Sequence, residues 1–335
     1  MFFKKLSFFF LIVIFNFISI PATKSAPIEK LKENFKEKFQ VQIQDYKNFT
    51  IIKYTYFDQN RKKKWNIASE IHFPQNSTGK VPLIITQHGS SRNGYKFKKE
   101  GGKSDEYSKN ILKKGLQNGY AVAVMDMFYK GKDVGSNKGS FPNGNQANFF
   151  AKRILSLFLS EKIDRSQIFY TGFSWGGDTT LAYLDKFYNQ EKFKPYWKAI
   201  AAVEPSCNRV NEPVNYDFPI LIIKAEKSHY APKPCIYYKN MIQKISGNKI
   251  DLKIINGVNH YFSSDMKVIT GIAVNACADN IAIKKLDGTW IRANGQPSSG
   301  KPQECFGTRV VSGKNYIKMP EAADEVINFF NKNRS

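Results

Sequence analysis

Short apolar runs alternate with longer amphipathic segments along most of the chain. Continuous apolar runs are typical of strands that are buried on both faces, and amphipathic segments are typical of helices. The predicted strands cover residues 49–57, 65–73, 81–87, 120–126, 167–172, 198–203, 218–224 and 251–255, and the predicted helices cover 105–118, 146–162, 177–187 and 321–331. This alternation predicts an α/β fold with a mostly parallel central sheet and helices on both faces.

Three regions depart from the alternation. Residues 27–50 combine charge with helical spacing of apolar side chains, which predicts an amphipathic helix or a loose arm. Strands 49–57 and 65–73 have no helix between them and are expected to form an antiparallel pair. Residues 263–315 interrupt the pattern before the final helix, and we interpret them as an insertion near the strand ends of a single domain over 26–335. Ligands of a parallel sheet bind beyond the carboxyl ends of its strands, so the chemistry is expected there.

The first residues predict an export signal over residues 1–25. Met1–Lys5 is basic, Leu6–Ile20 is almost entirely apolar, and Ala22–Ala26 is rich in small residues. This order is typical of a secretory signal peptide, and cleavage after Ser25 fits the small residues best. An uncleaved anchor is the alternative, although an apolar run of about 15 residues is short for a span of about 20. The chain is therefore expected to be periplasmic or secreted.

The chain is strongly basic. Its net charge of +23 falls to +20 when Lys4, Lys5 and Lys24 are removed with the signal. The basic residues are nearly all lysine and are spread along the chain, which favours biased composition over a dedicated surface. An anionic partner such as lipid headgroups, cell-wall polymer or nucleic acid is the alternative. Because no nucleic-acid-binding motif accompanies the charge, a weak attraction to an anionic envelope surface is the partner that we retain.

The second half of the chain contains four cysteines, at positions Cys207, Cys235, Cys277 and Cys305. An even number of cysteines in an exported chain predicts two disulfides. Three connectivities are possible, and we favour Cys207–Cys235 with Cys277–Cys305 because each pair encloses one local excursion. A zinc site is disfavoured because no two cysteines have C-x-x-C spacing and the histidines are few.

A Gly-Phe-Ser-Trp-Gly-Gly segment at 172–177 lies between a predicted strand and a predicted helix. In a G-x-S-x-G motif the small residues let the strand turn sharply into the helix, and the serine hydroxyl is exposed on a strained backbone. The same turn aims the backbone N–H of the next residue at the oxygen that becomes anionic in acyl transfer. The segment therefore predicts Ser174 as a nucleophile and Trp175 as an oxyanion-hole donor.

A serine nucleophile needs a neutral imidazole to accept its proton. The chain has four histidines, and on an elbow of this kind the acid and then the histidine follow the serine in the chain. That order excludes His72 and His88, and His229 comes too early in the topology. His260, directly after the last predicted strand, is the predicted base.

A second oxyanion-hole donor is expected from the loop at 88–90. Its sequence, His-Gly-Ser, follows the strand 81–87. A glycine-bearing loop at a strand end can approach the serine closely enough for a backbone N–H, at Ser90 or a neighbour, to join that of Trp175. An ordinary strand-to-helix turn is the alternative.

Together these segments resemble the dienelactone hydrolase family of α/β-hydrolases, particularly its exported, cysteine-containing members. The resemblance rests on residues 87–90, 126–128, 172–177, 205–207, 219–232 and 257–262. It covers about residues 65–262 and the final helix, and it leaves out 27–60 and 263–315. It implies the α/β-hydrolase fold and hydrolysis of an ester, lactone or similar acyl bond without a metal or an organic cofactor.

The chain departs from this family at the acid. The family carries an aspartate shortly after the strand 218–224, where this chain has Ser228, and a serine cannot supply the charge that stabilises an imidazolium. We favour Glu204, at the tip of the preceding strand, because a carboxylate in an apolar run is costly unless it is partnered, and His260 would be its partner. Glu226 is the alternative acid, and a salt bridge to a lysine is the alternative role of Glu204.

The leading hypothesis is an exported serine hydrolase that acts on a small-molecule or lipid-like acyl substrate. The same residues would serve an acyltransferase or a peptidase, and the missing aspartate leaves open a catalytically silent envelope-binding protein. Aromatic residues in the loops after the strands predict either an apolar substrate pocket or ordinary packing: Phe128, Tyr129, Phe141, Trp175, Tyr230, Tyr261 and Phe262. The oligomeric state is open.

Overall fold

The computed structural model describes residues 28–58, 63–130, 144–182, 197–247, 249–262, 269–274, 276–277, 279–312, 318 and 320–335. Within these ranges the side chains of 58, 144–150, 269–274 and 308–312 are not described. The predicted signal peptide and Phe141 lie outside the described residues.

The helices are α1 (Ile28–Lys38), α2 (Glu106–Gln117), α3 (Gly144–Phe158), α4 (Trp175–Leu181), α5 (Pro232–Ser246) and α6 (Glu321–Lys332). The strands of the main sheet are β1 (Gln42–Asp45), β2 (Phe49–Asp58), β3 (Lys63–His72), β4 (Val81–Gln87), β7 (Ala121–Asp126), β8 (Ile163–Phe173), β9 (Ala199–Val203), β11 (Ile220–Ala225) and β12 (Ile250–Ile255). The shorter pairings involve β5 (Gly94–Lys96), β6 (Lys103–Asp105), β10 (Arg209–Asn211), β13 (Ile269–Val274), β14 (Ala282–Lys284), β15 (Trp290–Arg292) and β16 (Phe306–Ser312).

The main sheet has the strand order β1-β2-β3-β7-β4-β8-β9-β11-β12. The strands from β7 to β12 in this order are parallel to each other, whereas β3 runs antiparallel to β7 and to β2. Helices cover both faces, so this is the α/β-hydrolase fold, as predicted. Because β8, β9, β11 and β12 are neighbours and parallel, the loops at their carboxyl ends meet at one edge of the sheet.

The two faces of the sheet bury separate cores, because successive side chains of a strand point to opposite faces. On β11, Ile220 and Ile222 pack into one core, and Leu221 and Ile223 pack into the other. The first core is covered by α1, α3, α4 and α5, and the second by α2 and α6.

Two parts of the chain differ from the sequence-based expectation. Helix α5, between β11 and β12, was not predicted. Its first turn contains Pro232 and Pro234, which resemble a loop in sequence, although proline is well tolerated in the first turn of a helix. The region predicted as an insertion is partly paired with the rest of the chain, since β14 runs parallel to β10. Among the described residues, no helix has both the length and the apolar character needed to cross a membrane.

Candidate active site

Ser174 lies on a sharp turn between β8 and α4, with φ 55° and ψ −117°. An L-residue rarely adopts this backbone conformation, which costs about 1–3 kcal/mol and needs support from its surroundings. The flanking glycines allow the close approach that the turn requires. A Cβ at Gly172 would lie 2.4 Å from the backbone of Gly176, and a Cβ at Gly176 would lie 2.6 Å from the carbonyl oxygen of Gln87. The segment therefore forms the strained elbow that its sequence predicts.

The structure brings His260 to Ser174. His260 lies in the loop after β12 and is 1% exposed. Its Nε2 is 2.9 Å from the Ser174 Oγ, and its Nδ1 is 2.7 Å from Oε2 of Glu204. Because Glu204 can only accept while it is ionised, the proton of a neutral His260 lies on Nδ1 and Nε2 is the acceptor of the serine hydroxyl.

Glu204 directly follows β9 and is fully buried. Its φ of 56° places it, like Ser174, in the left-handed region. The backbone N–H of Ala225 donates to Oε1, and the Ser228 hydroxyl donates to Oε2 at 2.6 Å. The Lys224 ammonium lies 3.4 Å from Oε2. The carboxylate is therefore surrounded by donors from β11 and the loop that follows it.

Burial and the neighbouring charges shift the pKa values of Glu204 and His260 in opposite directions. Burial alone raises the pKa of a carboxyl group, but for Glu204 the positive charge of Lys224 and the hydrogen bond from His260 outweigh it and hold the pKa below its ordinary value. Burial lowers the pKa of His260, and the hydrogen bond to Glu204 offsets this only in part. His260 is therefore neutral at neutral pH, which is the form that can accept a proton.

The alternative acid, Glu226, lies away from His260. Its side chain is exposed, and its Oε2 accepts a hydrogen bond of 2.7 Å from the backbone N–H of Gly257. Of the two carboxylates considered from the sequence, only Glu204 contacts the histidine.

The loop at 88–90 lies beside the nucleophile, where a Cβ at Gly89 would be 3.1 Å from the Cβ of Ser174. His88 holds this loop, with Nδ1 2.6 Å from the Gly89 carbonyl oxygen and Nε2 accepting from the backbone N–H of Met127 at 3.0 Å. The Gly89 N–H donates to the buried carboxyl of Asp105 at 2.9 Å. The Gly89 N–H is therefore engaged, and Ser90 stays the predicted donor of this loop.

Aromatic rings surround the Ser174–His260 pair. Trp175 stacks on Phe128 with ring centroids 5.2 Å apart. The rings of His229, Tyr230 and Tyr261 lie 4.4, 4.9 and 4.8 Å from that of His260.

The predicted aromatic set divides between the site and the core. Tyr129 and Phe262 are buried in the core behind α2 and α6, so they are packing residues rather than pocket-lining ones. Burial lowers the pKa of His229 to about 3, which keeps this second imidazole neutral beside the first.

The four cysteines pair as predicted, Cys207 with Cys235 and Cys277 with Cys305. The first disulfide joins the loop after Glu204 to the first turn of α5. The second lies in the region predicted as an insertion, where Arg292 contacts Cys277 and forms a 2.8 Å ion pair with Glu304.

Among the described residues, no group of three or more His, Cys, Asp or Glu side chains is arranged to hold a metal ion.

Lys224 and Ser228 contact Glu204 but were not singled out as functional residues from the sequence. The signal for Lys224 was present, because a lone lysine ends an apolar run at the carboxyl end of a strand, as Glu204 does. Ser228 was noted only as a missing aspartate. Its hydrogen bond to Glu204 depends on a contact between two strand ends that the sequence does not encode locally.

Comparisons with known proteins identify similar folds and no family. No family model and no curated protein matches the chain. The chain is similar to brefeldin A esterase, a bacterial homologue of human hormone-sensitive lipase, at 12% identity over 70% of this chain and 76% of that chain, with a TM-score of 0.47.

Two further solved structures are similar at the same level. Esterase 2 of Thermogutta terrifontis is 13% identical over 67% of this chain and 86% of that chain, with a TM-score of 0.46. The α/β serine hydrolase XC6422 of Xanthomonas campestris, which has no lid, is 13% identical over 65% of this chain and 88% of that chain, with a TM-score of 0.43. At these identities the similarity concerns the chain path alone.

Proposed function

We propose that this chain is an exported serine hydrolase that cleaves an ester, lactone or related acyl bond through an acyl-enzyme on Ser174. The observation that carries the proposal is the unbroken hydrogen-bonded chain from the Ser174 Oγ through His260 to the Glu204 carboxylate, at 2.9 Å and 2.7 Å. A strained serine, a neutral imidazole and a buried carboxylate in this order form the constellation that activates a serine.

In the proposed reaction His260 accepts the Ser174 proton at Nε2 while Oγ attacks the acyl carbon. The N–H groups of Trp175 and Ser90 stabilise the oxyanion of the tetrahedral intermediate. His260 then protonates the leaving alcohol, and the acyl group remains on Ser174. In the second half, His260 takes a proton from water, which attacks the acyl carbon of the acyl-enzyme. His260 then returns this proton to the Ser174 Oγ as the C–O bond to the serine breaks, and the carboxylic acid is released. Glu204 accepts the hydrogen bond from the His260 Nδ1 throughout, and it stabilises the imidazolium that forms twice in the cycle.

The surroundings of the serine support an apolar substrate. Trp175 and Tyr261 are half-buried next to the Ser174–His260 pair and offer an aromatic wall for an apolar or lipid-like acyl group. The mechanism that we propose uses only side chains and backbone of this chain, without a cofactor. Export is supported by the signal-like start of the sequence and by two disulfides, which persist in oxidising compartments.

The test uses the purified, oxidised chain without residues 1–25, with p-nitrophenyl esters of increasing acyl length and a fluorophosphonate probe. We expect ester hydrolysis and labelling of the native chain, and loss of both in Ser174→Ala. Ser166→Ala is the matched control, because Ser166 is an exposed serine near the start of the same strand. Absence of labelling and of hydrolysis at every chain length would contradict the proposal and favour the binding-protein alternative. Acyl transfer to an added alcohol faster than hydrolysis would assign a transferase instead.

A further inference from the structure

Lys224 is a fully buried lysine at the carboxyl end of β11. Its side chain is on the same face of the strand as Ile220 and Ile222, which belong to the hydrophobic core. A lysine at such a position is costly unless its ammonium is partnered. The Nζ donates to the Pro205 carbonyl oxygen at 2.9 Å and lies 3.4 Å from Glu204 Oε2.

These two partners are consecutive along the chain. The ammonium contacts the carboxylate of Glu204 and also the carbonyl oxygen of the next residue, Pro205. It therefore fixes both the Glu204 side chain and the backbone beside it. That backbone needs support, because Glu204 is a non-glycine residue with a φ of 56°. Lys224 therefore stabilises the conformation in which Glu204 reaches His260.

Few other charges face this cluster in the described part of the chain. The titratable groups packed around it are Asp178 from α4, His229 and Tyr230 from the loop between β11 and α5, and Tyr261 from the loop after β12. None of these groups adds a positive charge above about pH 3, because Asp178 and the tyrosines carry no positive charge in either form and burial lowers the pKa of His229 to about 3. Lys224 is therefore the cation nearest to the carboxylate.

We propose that Lys224 is a positioning residue that holds Glu204 ionised and aimed at His260, and that its charge sets the lower pH limit of activity. This inference rests on the proposed hydrolase function. Lys224 touches no reacting atom. It acts through Glu204, and its positive charge opposes the arrival of a second positive charge on His260.

The sign of the effect follows from the charges. When His260 binds a proton the cluster gains a positive charge, which Lys224 disfavours and Glu204 favours. Removing the Lys224 charge therefore raises the pH at which the Glu204–His260 pair takes up a proton. Activity, which needs neutral His260 and ionised Glu204, is then lost at a higher pH.

The first experiment measures the acid limb of the kcat/KM profile for a p-nitrophenyl ester in Lys224→Met, which keeps an unbranched side chain one atom shorter and removes its charge. We expect the midpoint about one pH unit higher, a tenfold change in proton affinity. Lys224→Arg keeps the charge and is expected to keep the native midpoint. Lys227→Met is the matched control, because Lys227 is exposed three residues further on. A Lys224→Met enzyme with reduced activity but an unchanged midpoint would overturn the proposal and leave Lys224 a structural residue.

A second measurement works even if Lys224→Met folds poorly or the chain hydrolyses no ester. Urea unfolding midpoints are compared for Lys224→Met, Glu204→Gln and the double variant. A coupled buried pair predicts that the double variant is more stable than the less stable single variant, because neither charge is left alone. Additive losses would overturn the proposed pairing. Coupling in a chain with no labelling at Ser174 would refute the hydrolase function while leaving the pairing intact.

Discussion

The carboxyl ends of β9 and β11 lie side by side next to His260, yet they carry different chemistry. β9 is followed directly by Glu204, which accepts a hydrogen bond from the His260 Nδ1, whereas β11 leads to Ser228, where the family that the sequence resembles has its aspartate. The Ser228 hydroxyl donates to the same carboxylate oxygen as His260. The comparison indicates that the place of the negative charge relative to His260 matters more than the strand that supplies it.

The two strand ends are also joined covalently and electrostatically. The Cys207–Cys235 disulfide connects the loop after β9 with the helix that follows β11, and Lys224 of β11 contacts Glu204 and Pro205. Glu204 is therefore held in place largely from β11 and the loop that follows it.

The largest effect is expected from Glu204→Gln. The amide cannot stabilise an imidazolium and sets the wrong tautomer of His260, so we expect kcat to fall by up to about 10⁴-fold. Ester hydrolysis measures the loss, and circular dichroism checks the fold. Native-like turnover in this variant would show that Glu204 is not the acid that His260 needs.

Removing each disulfide in turn distinguishes an effect on stability from an effect on kcat. Each closes a separation of 28 residues, so the chain-entropy model gives each about 3.5 kcal/mol of stability. We expect Cys207→Ala/Cys235→Ala and Cys277→Ala/Cys305→Ala to lose similar stability in urea unfolding. Only the first pair is expected to lower kcat, because Cys207 is three residues from Glu204. Equal kcat losses in both pairs would argue against a special link between the strand ends.

A transfer of the acid tests the comparison directly. Glu204→Ser/Ser228→Asp places the carboxylate in the loop after β11, and we expect at least roughly tenfold higher kcat than in Glu204→Ser alone, a partial recovery of the lost tautomer control. The kcat values of the two variants give the result. No recovery would mean that the geometry of β9 itself is required.

The smallest effect is expected from Glu226→Gln, the matched control for Glu204. The Glu226 side chain is exposed and, among the described contacts, bonds only the backbone N–H of Gly257, so kcat should stay native and stability should change by less than about 0.5 kcal/mol. A fall in kcat comparable with that of Glu204→Gln would favour Glu226 over Glu204 as the acid of the site.

The sequence predicted the parts of the site that local patterns encode. The order of apolar runs predicted the sheet, the glycines around Ser174 predicted the elbow, and a carboxylate inside an apolar run pointed to Glu204. The pairing of Lys224 with Glu204 was not predicted, because it joins residues on two strands whose adjacency follows from the sheet order. Helix α5 was not predicted, since the prolines in its first turn resemble a loop. The contact of β10 with β14 links residues about 70 positions apart and has no local signal.

The backbone conformation of Ser174 affects which replacements at this position evolution can accept. At φ 55° and ψ −117° the serine is held where glycine would rest with less strain. Replacement by glycine would relax this backbone strain and, on the proposed function, would remove the nucleophile at the same time. On the proposed function, selection for turnover keeps the serine at this position, whereas selection for stability alone favours glycine.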